Sequence, residues 1–257
     1  MSLKRTLVGA VAVVSTITVA GCGSAVDISG SHGASLNESS FATSVSDATR
    51  QVQSVHLEGT FTTHGQRVTV TADTSFGDRT LTGLKGAVRV SLPGMGTLEA
   101  RLVGGVVYIN GAQLGLGALG GKPWVKVDLT DTSNPLGETL AKITDNLGPG
   151  QLAETLKGLS TLRTVGAETV DGVATTHYKV SIDTSKLGTT LGLDPSQLGG
   201  AALPKTVAYD VWLDEGSRPV KLAMATSMFG MELHFSKWGE PVHVAAPPAS
   251  QVSSFSL

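Results

Sequence analysis

Short segments of alternating apolar and polar residues recur along most of this chain, and they constrain the fold more than any other feature. Val55, Leu57 and Phe61 fall on one side of an extended strand, and His56 and Glu58 fall on the other. A period of two is typical of a strand with one buried face. The same pattern predicts strands over residues 67–76, 80–92, 97–110 (two short strands), 124–129, 163–170, 174–182, 205–214, 219–228 and 231–238.

Turn residues between these segments favour antiparallel neighbours. Asp171-Gly172 and His64-Gly65-Gln66 each separate two alternating runs, as the turns of β-hairpins do. The chain also holds 32 glycines, and only 16% of its residues are charged. We therefore expect a strongly curved, glycine-kinked antiparallel sheet with a large apolar interior.

Helical periodicity interrupts the strands in a few places. A first helix is expected over residues 39–53, and a short helical insertion over residues 185–203. Asn134-Pro135 has the form of a helix start, and Gly148-Pro149-Gly150 that of a stop. Two leucine-rich stripes indicate a pair of central helices against one face of the sheet: Leu136, Leu140, Ile143 and Leu147, then Leu152, Leu156, Leu159 and Leu162. The predicted fold class is α+β.

The segment 111–123 is apolar yet rich in glycine, so it predicts neither a strand nor a helix. Leu114, Leu116 and Leu119 make it a candidate lid or membrane-contact loop at the mouth of the domain. A loop that simply covers one end of the core is an equally good interpretation.

The N-terminus resembles a lipoprotein signal sequence. Lys4 and Arg5 precede an uncharged run over 7–20, which is shorter than the roughly 20 residues that a membrane-spanning helix needs. Val19-Ala20-Gly21-Cys22 then matches the bacterial lipobox. The match implies cleavage of residues 1–21, a diacylglyceryl group on the sulfur of Cys22, further acylation with chains such as palmitate, and anchoring on the outer face of the cell membrane. The alternative is a plain secreted protein with a free cysteine.

The Gly/Ser-rich composition of residues 22–38 predicts a flexible tether after the lipidated cysteine. We expect a single domain over residues 39–245 and a Pro/Ser-rich tail over residues 246–257. Because Cys22 is the only cysteine, the domain has no disulfide, and packing must stabilise it.

Composition and motifs argue against several functions. A net charge of −2 gives no indication of a nucleic-acid partner. The sequence holds neither a Gly-x-Ser-x-Gly elbow nor a His-Glu-x-x-His motif. Gly120-Gly121-Lys122 resembles a phosphate loop only superficially, since Pro123 stands where Ser or Thr would bind Mg²⁺. The six histidines are scattered without the spacing of metal ligands, and a solvated face best explains His56 and His64. We expect no catalytic residue, no metal and no cofactor.

The C-terminal strands carry a family resemblance. Trp212 and Asp214, then Ser236, Trp238 and Gly239, followed by Pro241-Val242, are similar to the end of the LppX/LprAFG family of actinobacterial lipoproteins. The segments 170–178 and 106–109 match that family too. The resemblance covers roughly residues 40–245. It implies a half-open β-barrel wrapped around helices, like LolA and LolB, whose apolar cavity binds a lipid or glycolipid for transport across an actinobacterial cell envelope.

The resulting hypothesis is a non-catalytic, membrane-anchored lipid carrier that works with an envelope transporter protein. The candidate cavity-lining residues are the apolar positions of the strands and central helices: Phe61, Val70, Leu140, Ile143, Leu156, Leu159, Val211, Leu222, Met224, Met231 and Leu233. The alternative is a structural or interaction lipoprotein with a packed core that assists an envelope complex.

Overall fold

One twelve-stranded sheet dominates the computed structural model, which describes residues 36–63, 65–110, 121–131, 159–183, 205–226 and 229–254. The strands are β1 Ser54–Thr63, β2 Gln66–Ser75, β3 Lys85–Leu92, β4 Gly96–Val103, β5 Val106–Asn110, β6 Trp124–Asp128, β7 Leu159–Val170, β8 Val173–Asp183, β9 Thr206–Leu213, β10 Pro219–Ala225, β11 Phe229–Ser236 and β12 Val252–Ser254. Their order across the sheet is β12-β6-β5-β4-β3-β2-β1-β11-β10-β9-β8-β7.

The sheet is antiparallel except at one edge, curved, and not closed into a barrel. Strands β7 and β12 form its two edges and do not pair with each other. Strand twist accumulates over so many strands, which curls an open sheet of this size. The predicted curved antiparallel architecture is confirmed.

The helix α1, Glu38–Gln51, packs on the apolar face near the β7 edge. Asn37 caps it: the Asn37 side chain accepts a hydrogen bond from the Ser40 amide, and the Ser40 hydroxyl accepts one from the Asn37 amide. Phe41 and Val45 are buried on its inner side. They form one core cluster with residues of β8 and β9: Tyr178, Val180, Ile182, Val211 and Leu213.

The structure corrects the sequence prediction where a strand replaces a helix. Leu159 and Leu162 were expected in the second leucine-striped helix, but β7 already begins at Leu159, and Leu162 pairs with Val180 of β8. Their spacing of three fits a helix, yet pairing with the long β8 strand satisfies the backbone of this segment instead. The predicted strand over residues 80–92 is also shorter, because residues 77–83 form turns and bends and β3 begins only at Lys85.

The C-terminal tail adds a strand to the sheet. Strand β12 pairs in parallel with β6, aligning Val252 with Trp124. Lys122 Nζ donates to the Val252 carbonyl at 2.9 Å, and Ser253 Oγ donates to the Trp124 carbonyl at 3.1 Å. The segment expected as a tail at 246–257 therefore covers part of the edge of β6.

Several predicted features lie outside the described residues: Cys22 with the tether up to residue 35, the loop residues Leu114, Leu116 and Leu119, the helix over residues 134–147, and the insertion over residues 185–203. The end of the predicted tether is wrong, because Asn37 and Glu38 form the capped start of α1. Within the described ranges, no helix has the length and hydropathy needed to cross a bilayer.

Candidate functional site

The apolar face of the sheet is the candidate site, and the strand register makes it continuous. Residues paired across an antiparallel ladder point to the same face. One row of such partners therefore crosses seven strands from β6 to β11: Val125, Ile109, Ala100, Val88, Ala72, Leu57 and Phe235. Every member of this row is apolar, so the face forms an unbroken hydrophobic surface.

The register places seven of the predicted cavity-lining residues on this one face. Phe61 pairs with Met231, and Met231 pairs with Met224. Leu222 pairs with both Leu233 and Val211. Val70 shares the face, since it and Leu233 are both partners of Gly59. Leu140, Ile143 and Leu156 lie outside the described residues, and so does the side chain of Leu159.

The face is covered unevenly. Val211, beneath α1, is 5% exposed, whereas Phe61, Val70, Leu222 and the apolar residues of β11 are only half-buried. Phe61 also meets Phe229 at a ring-centroid distance of 6.2 Å. The helix thus fills one end of the apolar face, and the middle strands keep part of their apolar surface accessible.

A glycine lies in the middle of this surface. Gly59 is buried in β1, between two strand partners with branched side chains. A Cβ atom at this position would lie 2.8 Å from Leu233 Cδ2. The missing side chain therefore lets Leu233 lean across β1, a close approach of the kind that glycine permits inside a strand.

The opposite face is polar and carries three histidines, each between two carboxylates. His177 Nδ1 lies 2.8 Å from Glu168 Oε1, and its Nε2 lies 2.8 Å from Asp210 Oδ1. His56 lies between Asp73 (2.7 Å) and Glu58 (3.3 Å). His234 lies between Asp171 (2.5 Å) and Glu232 (2.8 Å). His56, which the sequence analysis placed on a solvated face, therefore lies between two carboxylates in the fold.

Trp212 joins this polar network from β9. Its ring stacks on His177 at 4.2 Å, and its Nε1 donates to Glu168 Oε2 at 2.6 Å. The hydrogen bonds from Trp212 and then from His177 lower the pKa of Glu168 below 4.5. Lys221 Nζ lies 5.2 Å from the centre of the Trp212 ring, within the range of a cation–π contact.

The pKa values of Glu232 and His234 shift in opposite directions. Hydrogen bonds from His234 and then from Lys221 lower the pKa of Glu232. Burial opposes the charging of His234, but its hydrogen bonds to Glu232 and Asp171 outweigh burial and raise its pKa above 6.5. Sequence reasoning missed these pairs, although one signal was visible: acid and histidine two residues apart lie on the same face of a strand, as in His56 and Glu58.

The described part of the chain shows no group of histidine, cysteine and acidic residues arranged to hold a metal ion. A depression of about 610 Å³ opens between the β7–β8 turn and β11, with Asp171, His234 and Trp238 among its lining residues. Most of its charged lining belongs to the polar face, but Val220 and Phe235 line it too, so the depression borders the apolar face.

Two solved structures share the fold of this chain. The fold resembles lipoprotein LppX of Mycobacterium tuberculosis with a TM-score of 0.56 and 20% identity, over 81% of this chain and 98% of that one. It resembles LprF of Mycobacterium bovis with a TM-score of 0.55 and 17% identity, over 82% of this chain and 96% of that one. The fold implied by the C-terminal motifs is confirmed.

Two Streptomyces proteins are similar in sequence. A Streptomyces coelicolor protein, provisionally named a lipoprotein, is 26% identical over 227 residues, which cover 82% of this chain and 73% of that protein. An uncharacterized 31.2 kDa protein of Streptomyces griseus, from the rplA-rplJ intergenic region, is 28% identical over 176 residues, or 63% of this chain. The match spans only 58% of the Streptomyces griseus protein. No protein-family model matches the chain.

Proposed function

We propose that this protein is a non-catalytic lipoprotein, anchored through Cys22 outside the cell membrane, that binds a lipid or glycolipid on the apolar face of its sheet. The observation that carries the proposal is the continuous apolar row across seven strands, whose middle members are only half-buried. The fold shared with LppX, which is named a lipoprotein, supports the anchoring, and so does the similarity to the Streptomyces coelicolor protein that is provisionally named one.

The energetics explain why a carrier needs such a surface. A lipid with two chains of ~16 carbons exposes about 32 methylene groups, and at ~0.8 kcal/mol each their transfer through water costs on the order of 25 kcal/mol. An apolar surface offsets this cost only if it is wide enough for both chains. Met224 and Met231 are cross-strand partners in the middle of the face, and methionine adapts well to chains of irregular shape.

The carrier hypothesis includes delivery. Cys22 would hold the domain at the membrane surface, where lipids are collected, and the tether, which ends before the start of α1, would let it reach an envelope transporter protein. The loop with Leu114, Leu116 and Leu119 would lie at the mouth, near the lipid head group. These roles follow from the sequence and extend the proposal beyond the described residues.

Two neighbouring residues of β10 provide a matched test. Met224 lies on the apolar face, whereas Ala223 lies on the polar face opposite Glu232 and Asp210. A lysine at 223 would therefore meet two carboxylates, and a lysine at 224 would place a charge among hydrophobic partners. We expect Met224→Lys to abolish lipid binding and Ala223→Lys to preserve it.

The assay uses the full chain with Cys22→Ser, which cannot take lipid on sulfur. Native mass spectrometry would detect co-purifying lipid, and labelled vesicles would measure uptake. Near-UV circular dichroism would establish that both lysine variants keep their tertiary packing. The absence of both co-purified lipid and uptake in the Cys22→Ser protein would refute the proposal.

A second candidate function is a structural or interaction lipoprotein whose core is filled. The packing of Phe41 and Val45 against β8 and β9 favours it, because α1 already occupies one end of the apolar face. This alternative would be supported if the Met224→Lys and Ala223→Lys variants took up equal amounts of lipid, no more than the background measured without protein.

A further inference from the structure

The turn of the β7–β8 hairpin reaches a strand that is not its neighbour. Strands β9 and β10 separate β8 from β11. Three strand spacings of about 4.8 Å would place these elements roughly 14 Å apart in a flat sheet. Asp171 Oδ2, in the turn, nevertheless lies 2.5 Å from His234 Nδ1 on β11. The hairpin turn must therefore bend over the polar face to make this contact.

The contact depends on the protonation of the histidine ring. His234 Nδ1 faces Asp171, and its Nε2 faces Glu232 at 2.8 Å. An ionised carboxylate only accepts hydrogen bonds, so both bonds exist together only when both ring nitrogens carry protons. When the ring loses one proton, the lone pair of that nitrogen faces a carboxylate, and the two groups repel each other.

The two carboxylates are not held equally. Glu232 also lies 3.1 Å from Lys221 Nζ, which keeps it in place after the ring loses a proton. Asp171 is 58% exposed at its side chain and sits in a turn with a φ of +51°. Glu58 is the cross-strand partner of His234 and adds a further negative charge on this face. The remaining charged groups around the depression are Asp214, Arg218, Lys237 and Glu240.

We propose that Asp171 and His234 form a pH-dependent latch, which holds the β7–β8 turn over the polar face while the imidazole ring is doubly protonated and releases it when the ring loses a proton. Release widens the depression of about 610 Å³, because Asp171, Val173 and His234 all line it. The raised pKa of His234 places the transition above pH 6.5. The latch lies on the face opposite the lipid site and does not depend on lipid binding.

Amide chemical shifts in the turn test the latch directly. In the full chain with Cys22→Ser, the Gly172 amide should titrate between pH 5 and 9 with a midpoint above 6.5, the ordinary histidine value, and the His234 ring nitrogens should titrate with the same midpoint. Asp171→Asn and His234→Gln should each abolish the titration of Gly172. His177→Gln, which removes a histidine from a separate bridge on the same face, should leave it intact.

A Gly172 amide that does not titrate in the unmutated domain would overturn the latch, as would a titration that survives His234→Gln. Asp171→Asn keeps the inference testable if His234→Gln fails to fold, because residue 171 is exposed and the substitution preserves its shape. A Gly172 titration unchanged in Asp171→Asn would equally contradict the proposal.

Discussion

Truncating Phe41 tests whether α1 is a fixed part of the domain. Phe41 is 0% exposed and meets Tyr178 edge-to-face at a centroid distance of 5.2 Å. Its ring lies between the helix and strands β8 and β9, where it contributes to the core cluster with Val180 and Leu213. The Phe41→Ala variant removes the whole ring from a site without solvent access.

The expected loss in the free energy of unfolding is large relative to the total stability of a domain. Replacing a buried phenylalanine by alanine costs about 3–5 kcal/mol, from lost transfer free energy plus the cavity that remains. The Phe41–Tyr178 ring pair adds to this, since edge-to-face pairs contribute roughly 0.5–1.5 kcal/mol beyond burial. Together these give about 3.5–6.5 kcal/mol. At roughly 2–4 °C per kcal/mol for a domain of this size, we expect Tm to fall by about 7–26 °C.

Urea and thermal unfolding monitored by circular dichroism provide the assay, with two controls. Phe41→Leu keeps most of the volume and should cost less than about 1.5 kcal/mol. Met95→Ala changes a side chain that is 62% exposed, and should stay within about 0.5 kcal/mol. If Phe41→Ala lowered Tm by no more than Met95→Ala does, the packing of α1 on the sheet described above would be wrong.

Three further predictions follow from the sheet. Gly59→Ala should destabilise the protein by about 1 kcal/mol, because the added methyl group would press on Leu233. In a double-mutant cycle, Leu233→Ala should relieve this cost. Additive effects of the two substitutions would contradict the close approach. Ending the chain at Pro248 removes β12 and should lower the free energy of unfolding by about 1–3 kcal/mol, as backbone groups of β6 lose their partners; an unchanged urea midpoint would argue against the pairing. The free energy of unfolding should peak between pH 4.5 and 6.5. Glu232, with its lowered pKa, stabilises the folded state above pH 4.5, and this contribution is lost as the pH falls through its folded-state pKa. His234, with its raised pKa, stabilises the folded state below pH 6.5, and this contribution is lost as the pH rises through its folded-state pKa. His234→Gln should remove the decline on the alkaline side in the pH series.

Local pattern predicted most strands because the face of a strand residue depends only on the parity of its position. The alternation of Val211 with Trp212, and of Leu222 with Ala223, gave the correct faces before any pairing was known. The same reasoning failed at Leu159 and Leu162, where spacing fits a helix and only pairing with β8 decides for a strand.

The polar bridges were hidden from the sequence for a different reason. His177 and Glu168 face each other across a hairpin, but Asp210 reaches His177 from β9 and Asp171 reaches His234 over two intervening strands. Such partners are set by strand order and by the bending of the sheet. Neither property is encoded in the spacing of a single segment.

The sequence by itself determined the local properties of this protein: which residues alternate, where hairpins turn, and which cysteine matches the lipobox. The tertiary structure decided which strands are neighbours, including the pairing of β1 with β11 and of β12 with β6. The physical reason is that the side-chain period is fixed by backbone geometry within a few residues, whereas strand order is fixed by burial and hydrogen bonding between segments far apart in the chain. The continuous apolar row exists only because that order places the apolar sides of seven neighbouring strands next to one another.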